Sequence, residues 1–189
     1  MIHTKPATTG HPVLEVIQNR WSPLAFSNQS VETEKVMCML EAARWAPSSF
    51  NEQPWRYIIG HYADGIHAKL CECLFDGNNW ARNAGVLILS VAKMNFSYNN
   101  KPNRFYLHDV GAASAYLVLQ ATVLDLITHQ MEGFYVDKAR ELFKIGGDYE
   151  PGSMIAIGYP GGVEMLSDQW KEREQGVRSR KTVDEILWK

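Results

Sequence analysis

Residues 46–57 read Ala-Pro-Ser-Ser-Phe-Asn-Glu-Gln-Pro-Trp-Arg-Tyr. An amphipathic helix is predicted just before this stretch, at about 31–45. Ser30 is the candidate N-cap, Glu32 and Glu34 lie in the first turn, and Val36, Met39, Leu40 and Ala43 recur at helical spacing. Pro47 ends that helix, and the residues up to Pro54 form a loop with turn chemistry. Trp55–Gly60 then reads as a strand. The loop offers Ser48, Ser49, Asn51 and Gln53. Hydroxyl and amide groups on a stiff loop can read the donor and acceptor edge of a planar heterocycle or a polyol. Such a loop can equally do no more than cap a helix.

Outward from there, helices and strands mix. Residues 12–19 form a short helix with Val13, Val16 and Ile17 on one side, and Pro23 places Arg20 to Ser22 at its end or in a turn. Residues 66–75 read as a helix. Gly85–Ala92 is an apolar run of strand type, expected to be central and buried on both faces. The polar stretch 93–106 is an exposed loop, either a lid or a surface excursion. Residues 107–129 are predicted as the strongest helix, apolar around most of its circumference, which places it inside the fold or in a dimer interface. A short helix at 137–144 and a buried strand at Ser153–Gly158 follow. Gly-Tyr-Pro-Gly-Gly breaks that strand, and the tail from 176 is basic, then apolar from Val183 to Trp188. Residues 1–10 read as a loose arm. The expected class is α+β, in a single domain spanning 1–189. The βαβ pattern is too irregular to require a doubly wound sheet.

Composition narrows the function classes. The chain has 189 residues, 46% of them hydrophobic, a net charge of -2 and a pI near 6.3. Neither nucleic acid nor an anionic membrane surface is an expected partner. No apolar run approaches the ~18 residues needed to span a bilayer. Three cysteines and no signal-peptide pattern suggest a reducing compartment, the cytoplasm. No GxGxxG motif and no Walker sequence is present. Cys71, Cys73 and His67 do not form a convincing metal set, because helix positions two apart diverge. Asp109 is expected to serve the dipole of the long helix and not to act as an acid or base.

Two further segments carry possible chemistry, Arg20-Trp21-Ser22 and Arg178-Ser179-Arg180-Lys181. If folding unites them, forked cations and a hydroxyl suit a phosphate monoester. If it does not, they are solvated surface arginines.

Residues 46–57 closely resemble the signature loop of the nitroreductase family. Arg20-Trp21-Ser22 is similar to that family's N-terminal Arg-Arg-Ser, with Trp21 in the second place. Gly77-Asn78-Asn79-Trp80 resembles its Gly-Asn-x-Trp stretch, Glu132-Gly133-Phe134 its Glu-Gly-Phe segment, and Arg178-Ser179-Arg180 its C-terminal basic-Ser-Arg motif. All five occur in the family's order between residues 20 and 180.

The resemblance implies an antiparallel central sheet flanked by helices, in an intertwined homodimer with FMN at the interface. Arg20 and Ser22, with Trp21 between them, would meet the phosphate or ribityl chain, and Arg178 and Arg180 would complete the phosphate site. Ser48, Ser49 and Asn51, with Gln53 in the same loop, would reach the flavin from the partner. Glu132 and Gly133 would line the isoalloxazine edge, with Asn78 nearby. No metal and no catalytic side chain is implied. NAD(P)H would give a hydride and leave, and a small electron-poor acceptor such as a nitroaromatic or quinone would take its place. The alternatives are a related flavoenzyme of different reaction, such as reductive dehalogenation or substrate dehydrogenation, or a non-catalytic flavin-binding protein. Leu24 stands where the family often has a further Arg, which leaves the flavin's N1–C2=O end to backbone N–H groups or another Arg.

Overall fold

Four strands, β1 (Trp55–His61), β2 (Val86–Lys93), β3 (Ile127–Met131) and β4 (Tyr149–Gly158), pair antiparallel in the order β1-β2-β4-β3. The computed structural model describes residues 5–188, so the first four residues of the expected N-terminal arm lie outside the described residues. From Lys5 to Ala7 the arm is fastened: the Lys5 Nζ donates to Gly176 O at 2.9 Å and Ala7 N to Gln18 O at 2.8 Å.

Seven helices surround the sheet among the described residues: α1 (Glu15–Asn19), α2 (Thr33–Arg44), α3 (Gly65–Cys73), α4 (Tyr106–Val123), α5 (Val136–Phe143), α6 (Asp168–Gln175) and α7 (Val183–Ile186). The α+β class and the antiparallel sheet agree with expectation. β2 explains itself through its neighbours. Val86, Ile88 and Ala92 pack toward α2 and α4 with Met39, Ala43, Ala113 and Leu117. Leu87, Leu89 and Val91 pack on the other face with Leu24, Phe26, Leu70, Trp80 and Ala139. With both faces covered, each large side chain contributes about 1.5–3 kcal/mol through burial.

Several element boundaries depart from the sequence reading; β4, for one, begins at Tyr149 and not at Ser153. The helix expected at 107–129 stops at Val123, and residues 127–131 become edge strand β3. Asp125 adopts a left-handed φ of 61°. The Leu126 N–H reaches back to Ala121 O at 3.0 Å and the Asp125 N–H to Thr122 O at 3.2 Å. That pair of bonds is a Schellman stop, built here without the glycine that marks such stops in sequence. At the start of α2, the cap is Glu32 and not Ser30, and no side chain bonds the first turn. α3 begins as its composition asks, with the Asp64 carboxylate accepting from His67 N at 2.6 Å. α6 is almost wholly polar, so no apolar period announces it.

Candidate functional site

Two segments far apart in sequence meet beside β3. α1 has five residues, too few to be stable alone, and its last carbonyls have no partner within the helix. Arg178 takes them from the other end of the chain. Its Nη1 donates to Gln18 O at 3.0 Å and its Nη2 to Arg20 O at 2.9 Å, while Nη1 also reaches the Lys5 carbonyl. Arg20, the C-cap of α1, extends Nη1 to Ser22 Oγ at 3.2 Å. The buried Glu174 carboxylate fastens the following backbone by accepting from Leu24 N at 2.8 Å.

This arrangement concentrates positive charge. Burial, then the charges of Arg178 and Arg180, lower the Arg20 pKa. Burial, then Arg180, lower that of Arg178. Guanidinium groups stay protonated in proteins, so the repulsion persists. None of the ion pairs among the described residues includes Arg20, Arg178 or Arg180. His129 lies close by with Nδ1 at 3.0 Å from Pro23 O, and burial foremost lowers its pKa, which keeps the ring neutral near pH 7. Trp21 lines two neighbouring cavities of about 300 and 510 Å³, and the Lys5 ammonium lies 4.7 Å from its ring centre. Leu24 is buried in the core.

The 48–53 loop is locally strained. Phe50, Asn51 and Gln53 all have φ between 52° and 55°, a left-handed region costly for residues other than glycine. Internal bonds hold it: Ser48 Oγ accepts from Gln53 N at 3.0 Å, and Gln53 Nε2 donates to Asn51 O at 3.1 Å. A further bond anchors it to α4. Buried Asp109, in the first turn of α4, accepts from Ser49 N at 3.0 Å. Glu52 binds the 93–105 excursion by accepting from Ser97 N at 2.9 Å. Phe50 packs edge-on against Phe96.

The third group lies past the end of β3. Asn78 Nδ2 donates to Gly133 O at 2.8 Å, and a Cβ at position 133 would sit 2.4 Å from that nitrogen, so glycine permits the contact. Glu132, beside it, is exposed. The edge of β3 thus runs from the arginine cluster near Ile127 to Gly133, about 20 Å at strand spacing.

The fold brings Arg20, Ser22, Arg178 and Arg180 together, with Trp21 beside them, and pairs Asn78 with Gly133. It does not bring Ser48, Ser49, Asn51 and Gln53 to either group. Their loop is tied to the N-terminal end of α4, while Arg20 shares a cavity with Thr122, Val123 and Asp125 to Thr128 at the other end. The 18 residues of α4 separate them by about 27 Å.

The family model described as nitroreductase family matches residues 17–159. The chain belongs to the nitroreductase family. The matched region includes Arg20, the signature loop and Gly133, and it stops before Arg178. A protein of Archaeoglobus fulgidus, provisionally named an NADH dehydrogenase/NAD(P)H nitroreductase, is 28% identical over 152 residues, 78% of this chain and 84% of its own. A solved structure described as an oxidoreductase containing FMN superposes with a TM-score of 0.91 at 31% identity, over 100% of this chain and 96% of that one. A Desulfovibrio desulfuricans protein, provisionally named a nitroreductase and solved in complex with FMN, superposes with a TM-score of 0.74 at 25% identity, over 96% of this chain and 98% of its own. The nitroreductase fold therefore accounts for nearly the whole described chain.

Sequence reasoning missed Glu174, Asp109 as the anchor of the loop, and Lys5. Each acts through a backbone partner or ring far away in sequence, and a charged residue in a polar segment gives no sign of such a partner.

Proposed function

We propose that this member of the nitroreductase family is an FMN-dependent oxidoreductase, active as a homodimer and supplied with electrons by NAD(P)H. The observation that carries the reading is the cluster of Arg20, Arg178 and Arg180, which has no carboxylate partner among the described residues. A phosphate monoester relieves their repulsion and matches the donors that Arg20 and Arg180 present. The residues present fit FMN in a second respect, because an elongated ligand anchored at the cluster can follow the edge of β3 to Gly133.

Arg20 and Arg180 would hold the phosphate with the Ser22 hydroxyl. Trp21 would wall the ribityl chain. Asn78 fixes Gly133, whose neighbour Glu132 would border the ring system. Ser48, Ser49, Asn51 and Gln53 would come from the partner subunit, since their own α4 holds them away. α4 also supplies a docking face: Leu107, Gly111, Ala115, Leu119 and Val123 recur every four residues along its outer side, and all but partly covered Leu119 are exposed. Gly111 and Ala115 let a second backbone approach closely, and ridges of this spacing suit packing between two copies. Bound FMN supplies two-electron transfer between NAD(P)H and an electron-poor acceptor such as a nitroaromatic or quinone. The protein binds, orients and shields, and needs no nucleophile of its own.

The test is anaerobic addition of NADH or NADPH to the purified yellow protein. Immediate bleaching of the flavin bands is the expected result. Bands that persist would overturn the NAD(P)H-dependent reading, and protein that takes up no FMN would overturn the cofactor assignment as well.

A further inference from the structure

We infer that Arg178 is a positioning residue for the anion site: its guanidinium fastens the backbone that carries Arg20, which presents Arg20, Ser22 and Arg180 to the phosphate. The inference rests on the FMN reading and refines its phosphate end. A guanidinium has five N–H donors. Both donors of Nη1 go to carbonyls, those of Lys5 and Gln18, and one donor of Nη2 goes to the carbonyl of Arg20. These three acceptors come from the N-terminal arm, the last turn of α1 and its C-cap. Gln18 O also accepts from Ala7 N at 2.8 Å, so arm and helix end share one anchor. A cation at a helix C-terminus, bonded to the last carbonyls, stabilises that terminus. α1 is short enough to need this help.

The consequence for the site is geometric. Arg20 leaves α1 at the residue whose carbonyl Arg178 holds, so the clamp aims the Arg20 side chain. The Glu174 carboxylate does the same for the next stretch by holding Leu24 N. Arg180, by contrast, is exposed, and its one side-chain bond among the described residues is from Nη1 to its neighbour Ser179 O at 2.7 Å. Its remaining donors are free for an external anion. The two arginines of Arg178-Ser179-Arg180 therefore divide the work, one building the site and the other binding.

A lysine substitution separates the two roles. Lysine keeps the charge but has a single point of donation and cannot span three carbonyls as a fork. FMN and riboflavin differ in the phosphate, so the ratio of their affinities reads the anion site alone. Titration of flavin-stripped full-length protein with each ligand, followed by flavin fluorescence, gives that ratio. Arg178→Lys and Arg178→Ala are both expected to lower the preference for FMN over riboflavin about tenfold or more, and to agree with each other within about threefold. Retention of the wild-type ratio by Arg178→Lys, with loss in Arg178→Ala, would make Arg178 a direct ligand and overturn the inference. A parallel loss of both affinities with an unchanged ratio would also overturn it, because the role would then be structural only. If Arg178→Ala does not fold, the ratio in Arg178→Lys against wild type decides. A wild-type protein that binds riboflavin as well as FMN would instead overturn the phosphate reading itself.

Discussion

Arg20 carries the proposed anion site at the scale of single residues. It is partly buried, it neighbours two other guanidinium groups, and it has no carboxylate partner among the described residues. A charged hydrogen bond contributes about 1.5–3 kcal/mol. Arg20→Ala should therefore weaken FMN binding about 10- to 150-fold and leave the melting temperature of the flavin-free protein nearly unchanged. Equal FMN affinity in the variant and wild type, read by the same titration, would remove Arg20 from the site. His129 makes a separate prediction. Burial lowers its pKa in the folded state, while the unfolded chain titrates near 6.5. The unfolded state then binds protons more readily, so stability present above pH 6.5 is lost on acidification. The fall in melting temperature from pH 7.5 to 5.5 should be smaller in His129→Gln, and an unchanged fall would refute the linkage. The arginines and Ser22 were readable in the sequence because their residue types already suit a phosphate. Glu174 and Asp109 were not, because a carboxylate is recognised as an anchor only once its backbone N–H partner is in place.

At the scale of elements, α4 decides most of the layout. Its inner face joins the core through Val110, Ala113, Leu117 and Ala121, while its two ends hold different parts of the proposed site. Its end depends on Asp125 at φ 61°, an exposed position. A β-branched residue resists that conformation, and Asp125→Val should cost about 1–2 kcal/mol. In a chain of this size that is a drop of roughly 2–8 °C in melting temperature, with Asp125→Gly melting at or above wild type. A Val variant as stable as wild type would show that the stop does not depend on this residue. Periodicity located α1 and α2, and unbroken apolarity located β2. The same apolarity ran on through Leu124 to Ile127 and concealed β3, since no glycine or proline marks the stop. α6 escaped notice for the opposite reason, having almost no apolar residue to set a period.

At the scale of the whole molecule, one chain holds every piece of the proposed flavin site and cannot assemble them. The arginine cluster and the strained 48–53 loop stand at opposite ends of α4, about 27 Å apart. The outer stripe of that helix offers a surface on which a second copy can bring its loop to the first copy's cluster. The order of five short motifs in the sequence implied this family and its dimer. The distance on which the proposed second chain rests depends on which end of α4 each motif docks against, and that follows only from the folded chain. Sedimentation velocity of the FMN-loaded protein, followed at 280 and 450 nm, tests the claim most directly. The account predicts that all flavin absorbance travels with a dimer and amounts to two FMN per two chains; flavin sedimenting with a stable monomer would contradict it.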